Sequence, residues 1–400
     1  MRWIRILVIA VLILGITAYA MRHRSVSNLA AASLVDHAFS PSWSSNEQVI
    51  SSMEEHLKRD PNDPKAASTL GEAYLQRARE SGDPANYAKA ELLFERALKR
   101  APDSVDAMLG KASLLMARHE FHKAKDVARK AIDTNPDVVA TYGILTDAFV
   151  ELGDYDEAIR TLDIMIRRKP NLSSYSRVSY IRELRGDVPG AIQAMKMAVE
   201  SGAPNAENTA WCMVQLGNLY LNDGQMNRAE EQYQQALIRF PNYAHAVAGL
   251  AKVASASGDL ASAVEHYKLA MDRIPLAEFA IGLGDVYERM GKHEEAKAQF
   301  DLVDAIQELY RSNGVSVDIE LALFNADRGR NISQALDIAE KEWHSRKSVR
   351  VADVYAWVLY RAGRYEEARQ MMQQALRLGT HDPLFLRHAE VIFGERVSTR

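Results

Sequence analysis

An all-α solenoid of about nine repeated helix pairs is the fold this chain predicts, and three recurrences predict it. Alanines at Ala90, Ala124, Ala158, Ala191, Ala229, Ala263, Ala296, Ala335 and Ala368 keep steps of 34, 34, 33, 38, 34, 33, 39 and 33 residues. A glycine stands five residues before many of them, as Gly153, Gly186, Gly224, Gly258, Gly291 and Gly363. An apolar residue stands four after, as Phe94, Leu162, Tyr233, Tyr267, Phe300 and Met372. Apolar spacings of three, four and seven residues mark amphipathic helices. A fixed long period marks a stacked array, because one helix pair cannot bury its own faces.

The elements follow in chain order. Residues 6–21 carry no charge and are framed by Arg2, Arg5, Arg22 and Arg24. At about 1.5 Å per residue they would give a short membrane helix, workable if the flanking arginines snorkel. Ala18-Tyr19-Ala20 also fits a signal-peptide cleavage site. Residues 1–24 are therefore expected to be a signal-anchor helix or a signal peptide. Arg2, Arg5 and the amino group precede the span and only Arg22 and Arg24 follow it, which places the N-terminus inside and the body outside. Residues 25–45 read as a linker and 46–63 as an N-terminal capping helix.

The array itself runs over 64–380, in units near 64–104, 105–138, 139–171, 172–209, 210–243, 244–276, 277–315, 316–348 and 349–380. Within a unit the glycine ends the first helix in a left-handed turn. The alanine lets the second helix lie close to the first. A proline, as at Pro102, Pro136, Pro170, Pro241 and Pro275, stops the second helix. Three stretches depart from the period. ESGDPAN (80–86) is inserted in unit one, SGAPNAEN (201–208) is a loop between units, and VDAIQELYRSNG (303–314) prolongs a second helix. The unit around Ala335 lacks both its glycine and its proline. Residues 381–400 are expected to hold a C-terminal capping helix and a tail.

Composition limits the function classes. Apolar residues make up 47% and charged residues 26%, as in folding chains. The formal net charge is −4 and the first 24 residues hold four arginines and no acid, so the remainder carries 45 basic and 53 acidic groups, a net of −8. That sign argues against nucleic acid as a partner. The single cysteine, Cys212, can form neither an internal disulfide nor a multi-cysteine zinc site.

Phosphate-loop, nucleophile-elbow and H-E-x-x-H patterns are missing from the sequence. His119 and His122 have a spacing that could hold a metal on a helix, but no third ligand follows in the frame. The acid pairs Asp156/Glu157, Glu294/Glu295 and Glu366/Glu367 fall where a helix begins, which suits its positive end. No catalytic residue, metal or cofactor is expected, and the chain is read as a non-enzyme.

The segments LGNLYLNDGQMNRAEEQYQQALIRFP (216–241) and LGDVYERMGKHEEAKAQF (283–300) resemble the tetratricopeptide repeat (TPR) family, with its L-G-x-x-Y…A-x-x-x-F…P unit. The resemblance spans about residues 64–380. It implies a right-handed solenoid whose inner face is lined by first-helix residues at unit positions 2, 5, 9, 12 and 13. Counting each unit from its alanine at position 20, that face holds Tyr180, Trp211, Asn218, Asn222, His245, Lys252, Phe324, Arg350, Trp357 and Tyr360, with Glu183, Glu278, Asp285, Glu288, Glu320 and Asp327 among them.

Aromatic and polar residues mixed in this way suit an extended peptide or a partner helix. The carboxylate clamp of some chaperone-binding relatives is not completed, since Asn218 has Val214 where the clamp needs lysine. The expected role is a membrane-tethered scaffold in a bacterial envelope, single-pass in the inner membrane with a periplasmic body. The alternatives are a TPR-fold envelope enzyme or enzyme subunit, and a soluble periplasmic assembly factor after signal cleavage.

Overall fold

Helix follows helix through the whole of the computed structural model, which describes residues 41–204 and 206–394. Among the described residues there are twenty helices and no strand. The first is α1 (Pro41–Arg59). The first helices of units one to nine are α2 (Pro64–Ser81), α4 (Val105–Ala117), α6 (Val139–Leu152), α8 (Leu172–Leu184), α10 (Glu207–Asn222), α12 (Ala244–Ser257), α14 (Ala277–Arg289), α16 (Asp318–Asp327) and α18 (Val349–Arg361). Their partners are α3 (Ala85–Arg100), α5 (Phe121–Thr134), α7 (Tyr155–Arg168), α9 (Val188–Glu200), α11 (Met226–Arg239), α13 (Leu260–Arg273), α15 (His293–Ser312), α17 (Ile332–Ser345) and α19 (Tyr365–Ala375), and α20 (Pro383–Phe393) follows the last unit.

The capping helix α1 begins at Pro41, inside the stretch expected to be linker. The expected anchor or signal segment, 1–24, lies outside the described residues. Among the described residues, no helix is long and apolar enough to cross a membrane.

Sequence chemistry accounts for the pairing. The nine periodic alanines are fully buried between paired helices. The aromatic four residues later fills the next gap. Tyr233 lies where a Cβ on either Gly217 or Gly249 would come within 2.5 Å of its ring, so it is wedged between the first helices of units five and six. The acids at the starts of α7, α15 and α19 sit in the first turn, as the helix dipole favours.

Three turns depart from glycine at the expected place, the first in unit one, where the insertion moves the left-handed glycine to Gly82. In unit two His119 itself takes the left-handed conformation, at φ 61°. In unit eight Gly329, one residue early, takes it at φ 64°, followed by Asn331 at φ 49°. The longer turn shortens α16 to ten residues and shifts its face by one position. This corrects the placement of Phe324. One residue turns a helix by about 100°, so Leu323 takes the partly exposed position and Phe324 is buried. Phe324 packs edge-on against Phe300, with the Arg328 and Arg330 guanidinium groups 4.4 and 4.8 Å from its ring centre.

The solenoid is wound tightly enough that its second turn rests on its first. The mid-unit turn of unit one meets the junction between units six and seven, where a Cβ on Gly82 would run into Ile274. Unit two meets the junction between seven and eight, where Ser316 N–H donates to Arg118 O at 3.3 Å. Unit three meets the junction between eight and nine, where Lys347 N–H donates to Leu152 O at 3.0 Å. Unit four meets the segment before α20, where a Cβ on Gly186 would run into the Gly379 carbonyl.

In units two and three the seam pairs the same backbone groups. The last carbonyls of one helix and the amides ahead of another have no partner within their own helices. Here they satisfy each other across the seam.

Side chains reinforce it. Arg346, 6% exposed, donates to Glu151 Oε2 at 2.9 Å and to Glu342 Oε2 at 2.8 Å, with its guanidinium 4.8 Å from the centre of the Phe121 ring. Tyr155 accepts from Val349 N–H at 2.8 Å, and His122 Nε2 lies 2.9 Å from Ser345 O. The two insertions also meet, since Tyr310 on the prolonged α15 donates to Gly82 O at 3.1 Å.

Candidate functional site

Because the two turns touch, the inner face is divided into cavities rather than left as one open trough. Two of them share a wall, made by Tyr180 and Glu183 on α8. The first, of about 530 Å³, lies along α8 and α10. Trp211 and Tyr180 face it, each about 40% exposed, over a floor of Met195, Leu172 and Leu219. The second, of about 450 Å³, lies at the seam between the turns. It gathers His119 and Glu151 from the first turn and Arg346, Arg350, Asp382 and Phe385 from the second.

The repeat frame supplies the shared wall directly. Positions 2, 5, 9, 12 and 13 of unit four are Ser173, Ser176, Tyr180, Glu183 and Leu184, and all five line one or both cavities. The frame does not supply Arg177, one position further along α8. Its guanidinium is fully engaged, donating to Gly143 O at 3.0 Å, to Asp147 Oδ1 at 2.8 Å and Oδ2 at 2.5 Å, and to Ser173. Asn218 is engaged as well. It accepts from Tyr233 at 2.8 Å and donates to Gln215 at 3.2 Å.

Glu183 is different. It makes no hydrogen bond or ion pair among the described residues. Burial, followed by the like charge of Asp382, pushes its carboxyl up to about 7. Burial likewise raises the Tyr180 phenol.

The other expected residues are dispersed. Arg350 lines the seam cavity. Trp357 lines a third cavity, of about 480 Å³, with Asp285, Glu288 and Asp327. It is not free to act as an anchor. Its indole N–H donates to Asp327 at 2.8 Å, and its ring stacks on His388 of α20 at 4.4 Å, with Tyr360 on the same indole at 5.6 Å. His388 in turn lies 3.0 Å from buried Asp353, so this group of side chains clamps the capping helix. Asn222 and Lys252 are exposed on units five and six. His245 lies 3.5 Å from Glu278 and against the Phe279 ring.

The two histidines turn to different partners. His119 stacks on Phe121 and His122 reaches the seam. Among the described residues, the three-ligand group is instead His56, Asp60 and Asp63. Asp63 is already occupied there, capping α2 through Lys65 and Ala66 N–H and pairing with His56.

Models of the tetratricopeptide repeat match residues 145–206, 214–278, 277–308 and 355–380, and a model of anaphase-promoting complex subunit 3 matches 83–164. The chain belongs to the tetratricopeptide repeat family. Among curated TPR relatives, cellulose synthase operon protein C of Pseudomonas fluorescens is 22% identical over 75% of this chain. Anaphase-promoting complex subunit 7 of mouse is 33% identical over 22%. The matches span only 24% and 16% of those relatives' own lengths. Among solved structures, the human IFIT1 dimer with PPP-AAAA superposes with a TM-score of 0.52 at 17% identity, covering 82% of this chain and 77% of that one. The Cut9–Hcn1 tetramer of the anaphase-promoting complex gives 0.50 at 14%, covering 82% and 63%. At these identities the likeness is one of fold.

Proposed function

We propose that this TPR chain is an adaptor rather than an enzyme, holding a segment of a protein partner along α8 and α10. One observation carries the reading. Trp211 and Tyr180 present large aromatic surface to a cavity of about 530 Å³, although neither belongs to the recurring packing positions. Large apolar rings left facing a concave, polar-rimmed space are the usual anchors of protein interfaces. The relatives named for the anaphase-promoting complex are subunits of an assembly, which supports the same reading.

The sequence adds a location to this proposal. Residues 1–24 tether the adaptor to a bacterial inner membrane, with the repeats on the periplasmic side. The test places a photo-crosslinking amino acid at position 211 in the native cell, with a control at Leu92, an exposed residue on the outer helix α3. The expected result is a partner crosslinked at 211 and not at 92. Equal crosslinking at both positions, or none at 211, refutes the adaptor. N-terminal sequencing of the mature chain tests the tether, and a chain beginning at Met21 refutes it.

A further inference from the structure

The cavity along α8 and α10 has a chemical preference, and this inference rests on the adaptor reading. Its charged side chains are Asp147, Arg177 and Glu183. The first two cancel each other in a two-pronged ion pair with both carboxylate oxygens used. That leaves Glu183 as the one carboxyl on the wall with no hydrogen-bond or ion-pair partner among the described residues. Among the described residues no cation forms an ion pair with it. The Arg350 guanidinium in the adjoining cavity acts on Tyr180 and Asp353, whereas the charge acting on Glu183 is the carboxylate of Asp382.

Around this carboxylate the wall is aromatic and the floor apolar, with Trp211 and Tyr180 exposed over Met195, Leu172 and Leu219. An aromatic face attracts a cation through its quadrupole, and an apolar floor accepts a methylene stem. The rim offers amides with donors to spare, Asn208 and the side chain of Gln215, which suit a peptide backbone. The volume is in the range that accepts more than a single side chain.

We propose that this cavity is a socket for a lysine or arginine side chain carried by an extended segment of the partner. The aliphatic stem lies between Tyr180 and Trp211, and the cationic head meets Glu183. The proposal fits the rest of the wall, since neither a carboxylate nor a phosphate would find a free cation there. A purely apolar side chain would leave the half-buried Glu183 carboxyl without a partner. Binding a cation also restores the charge that burial disfavours in the empty site.

The test uses the full-length chain, kept in solution with a non-ionic detergent and labelled with 5-fluorotryptophan. The sequence has five tryptophans, and the Trp211 fluorine resonance is assigned by its loss in Trp211→Phe. Four capped pentapeptides, Ac-Ser-Ala-Xaa-Ala-Ser-NH2 with Xaa lysine, arginine, norleucine or glutamate, are titrated separately. The lysine and arginine peptides are expected to shift the Trp211 resonance, and the norleucine and glutamate peptides to leave it unmoved. Glu183→Gln is expected to weaken the lysine peptide about tenfold or more while the other tryptophan resonances keep their positions. Glu183→Asp, which keeps the charge, is expected to recover part of the affinity.

A norleucine peptide that binds as well as lysine, a Glu183→Gln chain that binds lysine unchanged, or no peptide that moves Trp211 would each overturn the socket. The in-cell crosslink at position 211 separates the two ideas. A crosslink alongside a failed titration removes the cationic preference and leaves the adaptor standing, and no crosslink removes the adaptor itself.

Discussion

Gly153 and Gly258 hold the same place in units three and six, with nearly the same φ, 87° and 89°. Their surroundings have nothing in common. A Cβ on Gly153 would fall 2.8 Å from Ser348 N and closer still to the Lys347 carbonyl, whereas a Cβ on Gly258 would meet nothing within 4 Å. The same contrast divides the whole array. Gly82, Gly153 and Gly186 lie under the second turn, and Gly224, Gly258, Gly291 and Gly363 face open space. One letter of the repeat therefore serves two purposes. In the later units glycine is needed only for its backbone conformation, and in the earlier ones also for its lack of a side chain.

Substitution should separate these purposes. Gly153→Ala combines left-handed strain of about 1–2 kcal/mol with an overpacking cost of about 1–3 kcal/mol. A loss near 3 kcal/mol is expected by chemical denaturation, and a loss no larger than at Gly258 would mean the seam yields freely. Arg346→Met should come next, at about 2 kcal/mol, because it leaves Glu151 and Glu342 without their cation at the seam.

The Arg346→Met effect carries a pH signature. Burial raises the Glu151 carboxyl against the pull of Arg346. A raised carboxyl contributes fully below its unfolded value, and that contribution is lost as pH rises through the folded one. The variant should therefore lose more stability at pH 8 than at pH 5, and equal losses would remove Glu151 from the explanation.

Gly258→Ala should cost about 1 kcal/mol, the conformational part alone. Thermal unfolding of Gly258→Ala beside Gly153→Ala gives the comparison in one experiment. The smallest effect belongs to Tyr310→Phe, which removes one hydrogen bond across the seam and should cost about 0.5–1 kcal/mol. A cost at Tyr310 as large as that at Gly153 would shift the weight of the seam from backbone fit to the two insertions.

How much of this could be read in the sequence depends on what repeats. Periodic alanine, glycine and aromatic residues each have one local job, and the helix pairs follow from them. The placement of Tyr180 and Glu183 in the cavity wall follows from the same count, because unit four keeps its frame intact. Phe324 does not, because the unit eight turn slipped by one residue, and a count from Ala335 cannot see that slip. Gly329 beside the empty glycine position is the signal that was available.

Trp357 was legible as an inner-face residue but not as part of the clamp on α20, since His388 and Asp353 are 35 residues apart and His388 lies beyond the last unit. The seam is harder still. Its central bonds run from backbone to backbone, and a main-chain amide leaves no mark on residue type. The insertions ESGDPAN and VDAIQELYRSNG were visible as departures from the period, but nothing in either names the other.

The contacts of Arg346, Tyr155, His122 and Tyr310 close loops of 195, 194, 223 and 228 residues. An ordinary repeat array touches only its neighbours, so it can zip from any starting point and fray from its ends. This chain must bring distant stretches together before those contacts form, at an entropic cost that grows with loop length. Its folding should be slower than its local helix content suggests, and its first and last units should be protected from hydrogen exchange together rather than melting separately. The winding that divides the inner face into cavities thus also ties each end of the array to its middle.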